Sequence, residues 1–431
     1  MTIYRGIWLG IYVLATLIAT VVFGVAGELD GDLIGFPLPS YSILVIATIF
    51  VVVSYLVWMW PVFNILASIK VSPLIQSWKT ADISHDQRIA GVFVLLVQIF
   101  YFAFNFMEGA NVAGSRLHSD SPLRYFWILL APDILFLVYY GIYRKSRFFA
   151  PNLIIYLLSN SMRGWLGTWL VVLFMEGAYR VREKRLSWKK AFVVLGIFGL
   201  FFPILVQLKW IIREQGANVF INGLEVFEGI FSFAINMNWL DAFSDAMRPT
   251  VMRFQHLANV VGIIGSSSEL SAGLTNREFL YFFEEGLPQY TLEKVLGIAG
   301  VPDIHNMLLT YLTPEKLPVD TITNTHVGLV GWFWVTPELL PLYLFYVLLI
   351  SWVGIWLAKK AGGGPVLMDM VWFAWLGWLL NGWFATYIAF LQALVILMSV
   401  RLFAETVISW RPASRSFLGN APVVLEIRKG I

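Results

Sequence analysis

YSILVIATIFVVVSYLVWMW, residues 41–60, runs for twenty positions without a single charged side chain. At about 1.5 Å per residue, a helix of that length spans about 30 Å, the thickness of a bilayer's hydrocarbon core. A barrel strand would alternate apolar with polar residues and stop after roughly ten. Lipid offers the backbone no hydrogen bonds, so an unbroken apolar run this long is read as a membrane-spanning helix.

Comparable runs lie around it, at 7–27, 89–107, 125–143 and 191–208. Apolar residues make up 58% of the 431 and charged residues only 13%, with a mean hydropathy of +0.73. A soluble domain carries about 25% charged residues, so the fold class is an all-α polytopic membrane protein, with roughly 10–12 transmembrane helices expected. The run at 7–27 is too long for the core of a signal peptide and reads as an uncleaved first helix. The chain has no cysteine, which rules out disulfides, thiolate catalysis and thiolate metal sites. No metal site or cofactor is expected. The net charge of +3 is spread over span ends rather than one face, so no nucleic-acid partner is expected either.

The placement of basic residues orients the bundle. One alternating topology puts Arg5, Lys70, Lys79, Arg88, Arg144, Lys145 and Arg147 on one side. The cluster from Arg180 to Lys190, then Lys359, Lys360 and Arg401, and the tail residues Arg411, Arg415, Arg428 and Lys429 join them. That side therefore holds twenty of the 30 Lys and Arg and is expected to be cytoplasmic. The expected layout is membrane helices over 1–209, a large extracytoplasmic helical loop over 210–337, closing helices over 338–402 and a cytoplasmic tail over 403–431. The long loop is where chemistry or recognition is expected, because loops carry function on a scaffold of spans.

Two stretches depart from simple spans. Only about thirty residues separate the basic clusters at Arg147 and Arg180, too few for two crossings of about twenty each. Residues 150–179 are expected to enter and return as short helices, with Ser161-Met162-Arg163-Gly164 at the apex. An arginine so deep costs about 2.5 kcal/mol or more, so Arg163 should face a hydrated cavity or an anionic partner. The plainer reading is an arginine that snorkels or pairs with an acid for structural reasons. The second stretch is Asn381-Gly382, which interrupts the run 371–400. Its neighbours Trp372, Trp375, Trp378 and Trp383 read as interface anchors and packing residues.

Within the long loop, 219–240 is amphipathic and reads as an interfacial helix. Arg248 and Arg253 follow; on a helix they would point about 140° apart and could not meet one ligand atom. Arg253 and His256, three apart, share a face. His305-Asn306 comes next, and then Asn324-Thr325-His326 just ahead of Gly328 and Gly331, where the chain re-enters the membrane. His85 and His118, on short connections, read as surface residues. Arginine forks suit a pyrophosphate, and a histidine near neutrality suits the deprotonation of an attacking hydroxyl. An outward-facing transferase without ATP would need an activated, lipid-linked donor.

At these residues the sequence resembles the bacterial O-antigen ligases and O-antigen or capsule repeat-unit polymerases, membrane glycosyltransferases of the GT-C type. Ser161-Met162-Arg163-Gly164 looks like their hairpin motif, His305-Asn306-Met307-Leu308-Leu309 like their His-Asn-x-x-Leu, and Gly328-Leu329-Val330-Gly331 like their Gly-x-x-Gly. The likeness covers most of the chain as topology but only about twenty residues as motif. The spacing from His305 to Gly328 is longer than in the ligases, and the polymerases' arginine-to-glycine spacing is missed by Arg213 and Arg253. The departure in the histidine region favours the polymerases. The resemblance implies metal-independent, inverting polymerisation of undecaprenyl-pyrophosphate-linked oligosaccharide at the outer face of the bacterial inner (cytoplasmic) membrane. In that reading His326 or His305, with Arg253, is catalytic. Arg163, Arg248, Arg213 and Asn324 contact substrate. Membrane lipid is a further partner, and a chain-length regulator protein would dock on the loop. The alternatives are a ligase acting on a lipid acceptor, a lipid-linked sugar flippase, a purely structural assembly subunit, and a GT-C enzyme using a carboxylate among Glu28, Asp30 and Asp32.

Overall fold

A computed structural model describes residues 2–75, 84–112, 121–215, 223–286, 288–289, 301–312 and 325–409. Asn324 and His118 lie outside these residues, as do Lys79 and the tail beyond Ser409. For His85 and Arg213 only the backbone is described. Apart from one bridge between Glu28 and Pro37, the described residues contain no strand. The protein is an all-α polytopic membrane protein.

Among the described residues, six helices are long and apolar enough to cross a membrane. They are α1 (Ile3–Ala26), α2 (Tyr41–Ser68), α3 (Ser84–Glu108), α4 with α5 (Leu123–Leu130 and Pro132–Tyr143), α15 (Leu340–Lys360) and α17 (Phe384–Ser409). Only 28–50% of each span's most apolar window is buried within the protein, which leaves the remaining apolar surface to face lipid. Punctuation residues fix the ends. Thr2 and Ser40 cap α1 and α2, accepting from the amides of Arg5 and Ile43, and Gly27 closes α1 at φ 70°.

Two short helices follow, α6 (Phe149–Met162) and α7 (Gly167–Arg182), joined in a hairpin by a tight turn at Arg163-Gly164 in which Gly164 has φ 76°. The long α8 (Trp188–Gln215) follows. The loop helices are α9 (Gly223–Asn236), α10 (Trp239–Met252), α11 (Leu257–Gly265), α12 (Ser267–Thr275), α13 (Ile304–Leu312) and α14 (Trp332–Val335). The second hairpin pairs α16 (Pro365–Ala374), extended by a π turn over Trp375–Leu379, with α17.

Four of the basic residues assigned to one side, Arg5, Arg182, Lys359 and Arg401, make their contacts at helix ends. Arg5 of α1 and Arg182 of α7 both donate to the buried Asp369 of α16. Lys359 donates to the carbonyls of Ala67 and Ile69 at the end of α2, and Arg401 lies 5.6 Å from the Tyr143 ring. Trp372 and Trp375 are fully buried in the core, so these two are packing residues rather than interface anchors.

Candidate functional site

The site is built where three breaks in helical structure converge. The first is the turn Arg253–His256 between α10 and α11. The second is the irregular chain from Thr325 to Gly331, turning at Leu329–Gly331 ahead of α14, and the third is the apex Leu380–Trp383 between α16 and α17. Gly328 donates its amide to the Asn381 carbonyl at 3.0 Å, and Leu329 donates to Leu380 at 2.8 Å, so the second and third breaks satisfy each other's backbone. Irregular backbone of this kind survives in a bundle only where protein buries and pairs it. Two glycines permit the approach. Gly382 sits at φ 78°, and a β-carbon there would lie 3.1–3.2 Å from the backbone of Gly328, itself at φ 74°.

His326 lies in this seam. Its ring stacks on Trp383 at 4.3 Å and lies 5.8 Å from the ring of His256. Asn259 of α11 donates to the His326 carbonyl at 2.8 Å and so holds the backbone at that point. Among the described residues, both ring nitrogens of His326 are buried without a hydrogen-bond partner, as are Nδ1 of His256, Nε1 of Trp383 and Oδ1 of Asn381. Buried polar atoms are normally paired, so these groups are the ones here able to take up a further polar partner.

His256 reaches deep into the bundle. Its Nε2 hydrogen-bonds the hydroxyl of Tyr55 in α2, and the neighbouring Phe254 packs edge-on against Tyr12 of α1 at 5.3 Å. Tyr55 stands fourteen residues from Tyr41, about 21 Å along the helix. His256 therefore reaches the middle of α2 within the body of the bundle. Burial brings the pKa of His256 down to about 3. Burial also drives His326 well below the ordinary histidine range, helped by the nearby His256 and Arg253. Both are neutral at physiological pH.

The two candidate bases are not equivalent. His305 is held on one side: its Nδ1–H donates to the Thr325 carbonyl at 2.9 Å, while its Nε2 faces Glu285 at 3.4 Å, within ion-pair distance but without a hydrogen bond among the described residues. Burial alone would lower its pKa, but the Glu285 carboxylate raises it; burial raises Glu285 in turn. Through Thr325, His305 sets the position of the next residue, His326.

The arginines also separate. Arg253 is exposed, acts electrostatically on His326 and has no ion-pair partner among the described residues. Arg248 points elsewhere and binds Asp30 of the first loop at 2.9 Å, as the helical spacing predicts. Arg163 is 3% exposed, and its Nη2 donates to both carboxylate oxygens of Asp133 at 2.8 Å. The rest of its guanidinium meets the Tyr101 hydroxyl and the Ser159 carbonyl. All these partners belong to α3, α5 and α6, none to the loop. Of the first-loop carboxylates, Asp30 serves Arg248, and Asp32 accepts from Asn259 at 3.3 Å.

Four members of this site escaped the sequence reading as functional residues: His256, Tyr55, Trp383 and Glu285. His256 shares a face with Arg253 in the sequence pattern, which was the one signal available. Tyr55 is hidden in an apolar span, and Trp383 resembles its packing neighbours. The fold and site together define a polytopic membrane protein whose long loop lends histidines to the bundle interior. No protein-family model, no curated protein and no solved structure matches the chain.

Proposed function

We propose that this protein is a metal-independent, inverting membrane glycosyltransferase that polymerises oligosaccharide repeat units carried on undecaprenyl pyrophosphate, at the outer face of the bacterial inner membrane. The supporting observation is His326, neutral and buried with neither ring nitrogen partnered among the described residues, near the exposed guanidinium of Arg253. A base needs a free lone pair within reach of the hydroxyl it deprotonates. A departing pyrophosphate needs cations where its negative charge develops.

In this reading the acceptor hydroxyl attacks the anomeric carbon from the face opposite the pyrophosphate. Its proton passes to His326, the anomeric C–O bond breaks, and the electron pair leaves with the pyrophosphate held by Arg253. Trp383 forms a flat wall on one side of His326. His305 acts through Thr325 as a positioning residue, and Arg163 holds the hairpin.

The test uses purified protein in detergent with a pool of undecaprenyl-pyrophosphate oligosaccharides and EDTA, resolved on a gel. The wild type should yield a ladder, and both His326→Ala and Arg253→Ala should lose it by about 100-fold or more. One-step transfer to a lipid acceptor would identify a ligase instead. Lipid bound or moved across vesicles without any turnover would end the enzyme reading in favour of a flippase.

A further inference from the structure

At the basic end of the bundle, opposite the histidine site, a cavity of about 470 Å³ opens between the α5–α6 junction and the end of α7. Arg144, Lys145, Arg185 and Tyr179 are among the residues lining it, and Glu183 is the carboxylate among them. The guanidinium of Arg144 is fixed by Glu176, with which it makes hydrogen bonds of 3.0 and 3.1 Å. It is clamped between aromatic rings, 4.1 Å from Phe149 and 5.1 Å from Tyr179.

The other two cations are more available. Lys145 meets Glu183 at 2.9 Å, but its side chain is 69% exposed, and exposed pairs of this kind hold weakly and exchange partners. Arg185 is exposed and has no ion-pair partner among the described residues. The cavity thus has one rigid cationic wall, two mobile cations and a positive balance. It lies where the polar ends of the helices meet the interface. A cavity between helices with this charge at this level suits a phosphate group.

We infer that the α5–α7 cavity binds a phosphate, presented by the head group of an anionic phospholipid, with Lys145 and Arg185 as its main ligands and Arg144 and Tyr179 as its fixed wall. Glu183 releases Lys145 when the phosphate enters. The site does not depend on the histidine cluster or on glycosyl transfer. The lipid would pin the inner end of the α6–α7 hairpin to the membrane surface.

The experiment is native mass spectrometry of the full chain from detergent, with dioleoyl-phosphatidylglycerol and dioleoyl-phosphatidylcholine offered in equal amounts. The wild type should retain the glycerol lipid selectively, and Lys145→Ala and Arg185→Ala should each weaken retention by about fivefold. Lys189→Ala with Lys190→Ala removes two exposed charges outside the cavity and should leave retention unchanged. Equal loss in that control would reduce the effect to general surface charge and overturn the assignment. Undiminished retention in both cavity variants would do the same. A third arm adds sodium phosphate in excess. If inorganic phosphate displaces the lipid and protects the wild type against heating as well as the lipid does, the site serves a free phosphate and the lipid assignment fails.

Discussion

At the scale of single residues the protein separates two histidines that look alike in the sequence. His305 donates through Nδ1 to Thr325 and faces Glu285 at 3.4 Å; among the described residues neither ring nitrogen of His326 has a hydrogen-bond partner. Under the proposed mechanism His326→Gln should abolish turnover. His305→Gln should lower kcat by roughly tenfold to 100-fold and change its pH profile, because a displaced Thr325 misplaces the base without removing it. Identical losses in the two variants, with identical profiles, would argue against this division of roles. A second consequence concerns stability. His256 has a native pKa of about 3 against about 6.5 in an unfolded chain. Its contribution is therefore complete above about pH 6.5 and lost as pH falls toward 3, at ~1.4 kcal/mol per pH unit. His305 and Glu285, both raised, tilt the curve the other way, so the comparison has to be between variants. Between about pH 7 and pH 5 the wild type should lose more thermal stability in detergent than His256→Asn. Equal losses would show that the His256 ring is not held neutral.

At the scale of elements the hairpin α6–α7 poses the sharpest question. The sequence shows an arginine at the tip of a short membrane hairpin and predicts that it needs an anion or a hydrated cavity. The fold supplies Asp133, held at the start of α5 by the break at Ala131, where φ is 41°. Residue 133 could be read as an acid in a span, but nothing in one sequence ties it to a residue thirty positions later. Breaking one side of a buried pair costs about 3–5 kcal/mol, whereas replacing both by apolar residues is often neutral. Arg163→Leu and Asp133→Leu should each lower the thermal midpoint sharply, and the double variant should recover most of the loss. Turnover then separates the two roles. A stable, active double variant means that Arg163 braces the hairpin. A stable, inactive one means that Arg163 contacts substrate, as the family resemblance implies.

At the scale of the whole molecule, the spans were legible because each is a local apolar run, and their basic ends follow a local charge pattern. The site was not, because it joins residues 55, 256, 326 and 383, which only the packing of three helix breaks brings together. The same contrast applies to orientation. Contacts place Arg5, Arg182 and Lys359 at one end of the bundle, and the charge bias would make that end cytoplasmic. If so, Asn276, exposed at the end of α12, lies outside, and Lys190, exposed near the start of α8, lies inside. The chain has no cysteine, so a single one introduced at either position is a unique reporter. In intact cells a membrane-impermeant maleimide should label Asn276→Cys and leave Lys190→Cys unlabelled until the membrane is opened. The reverse pattern would put the loop in the cytoplasm. The histidine site would then face nucleotide-bound sugars rather than lipid-linked ones, and the choice of donor would have to be argued again from Arg253 outward.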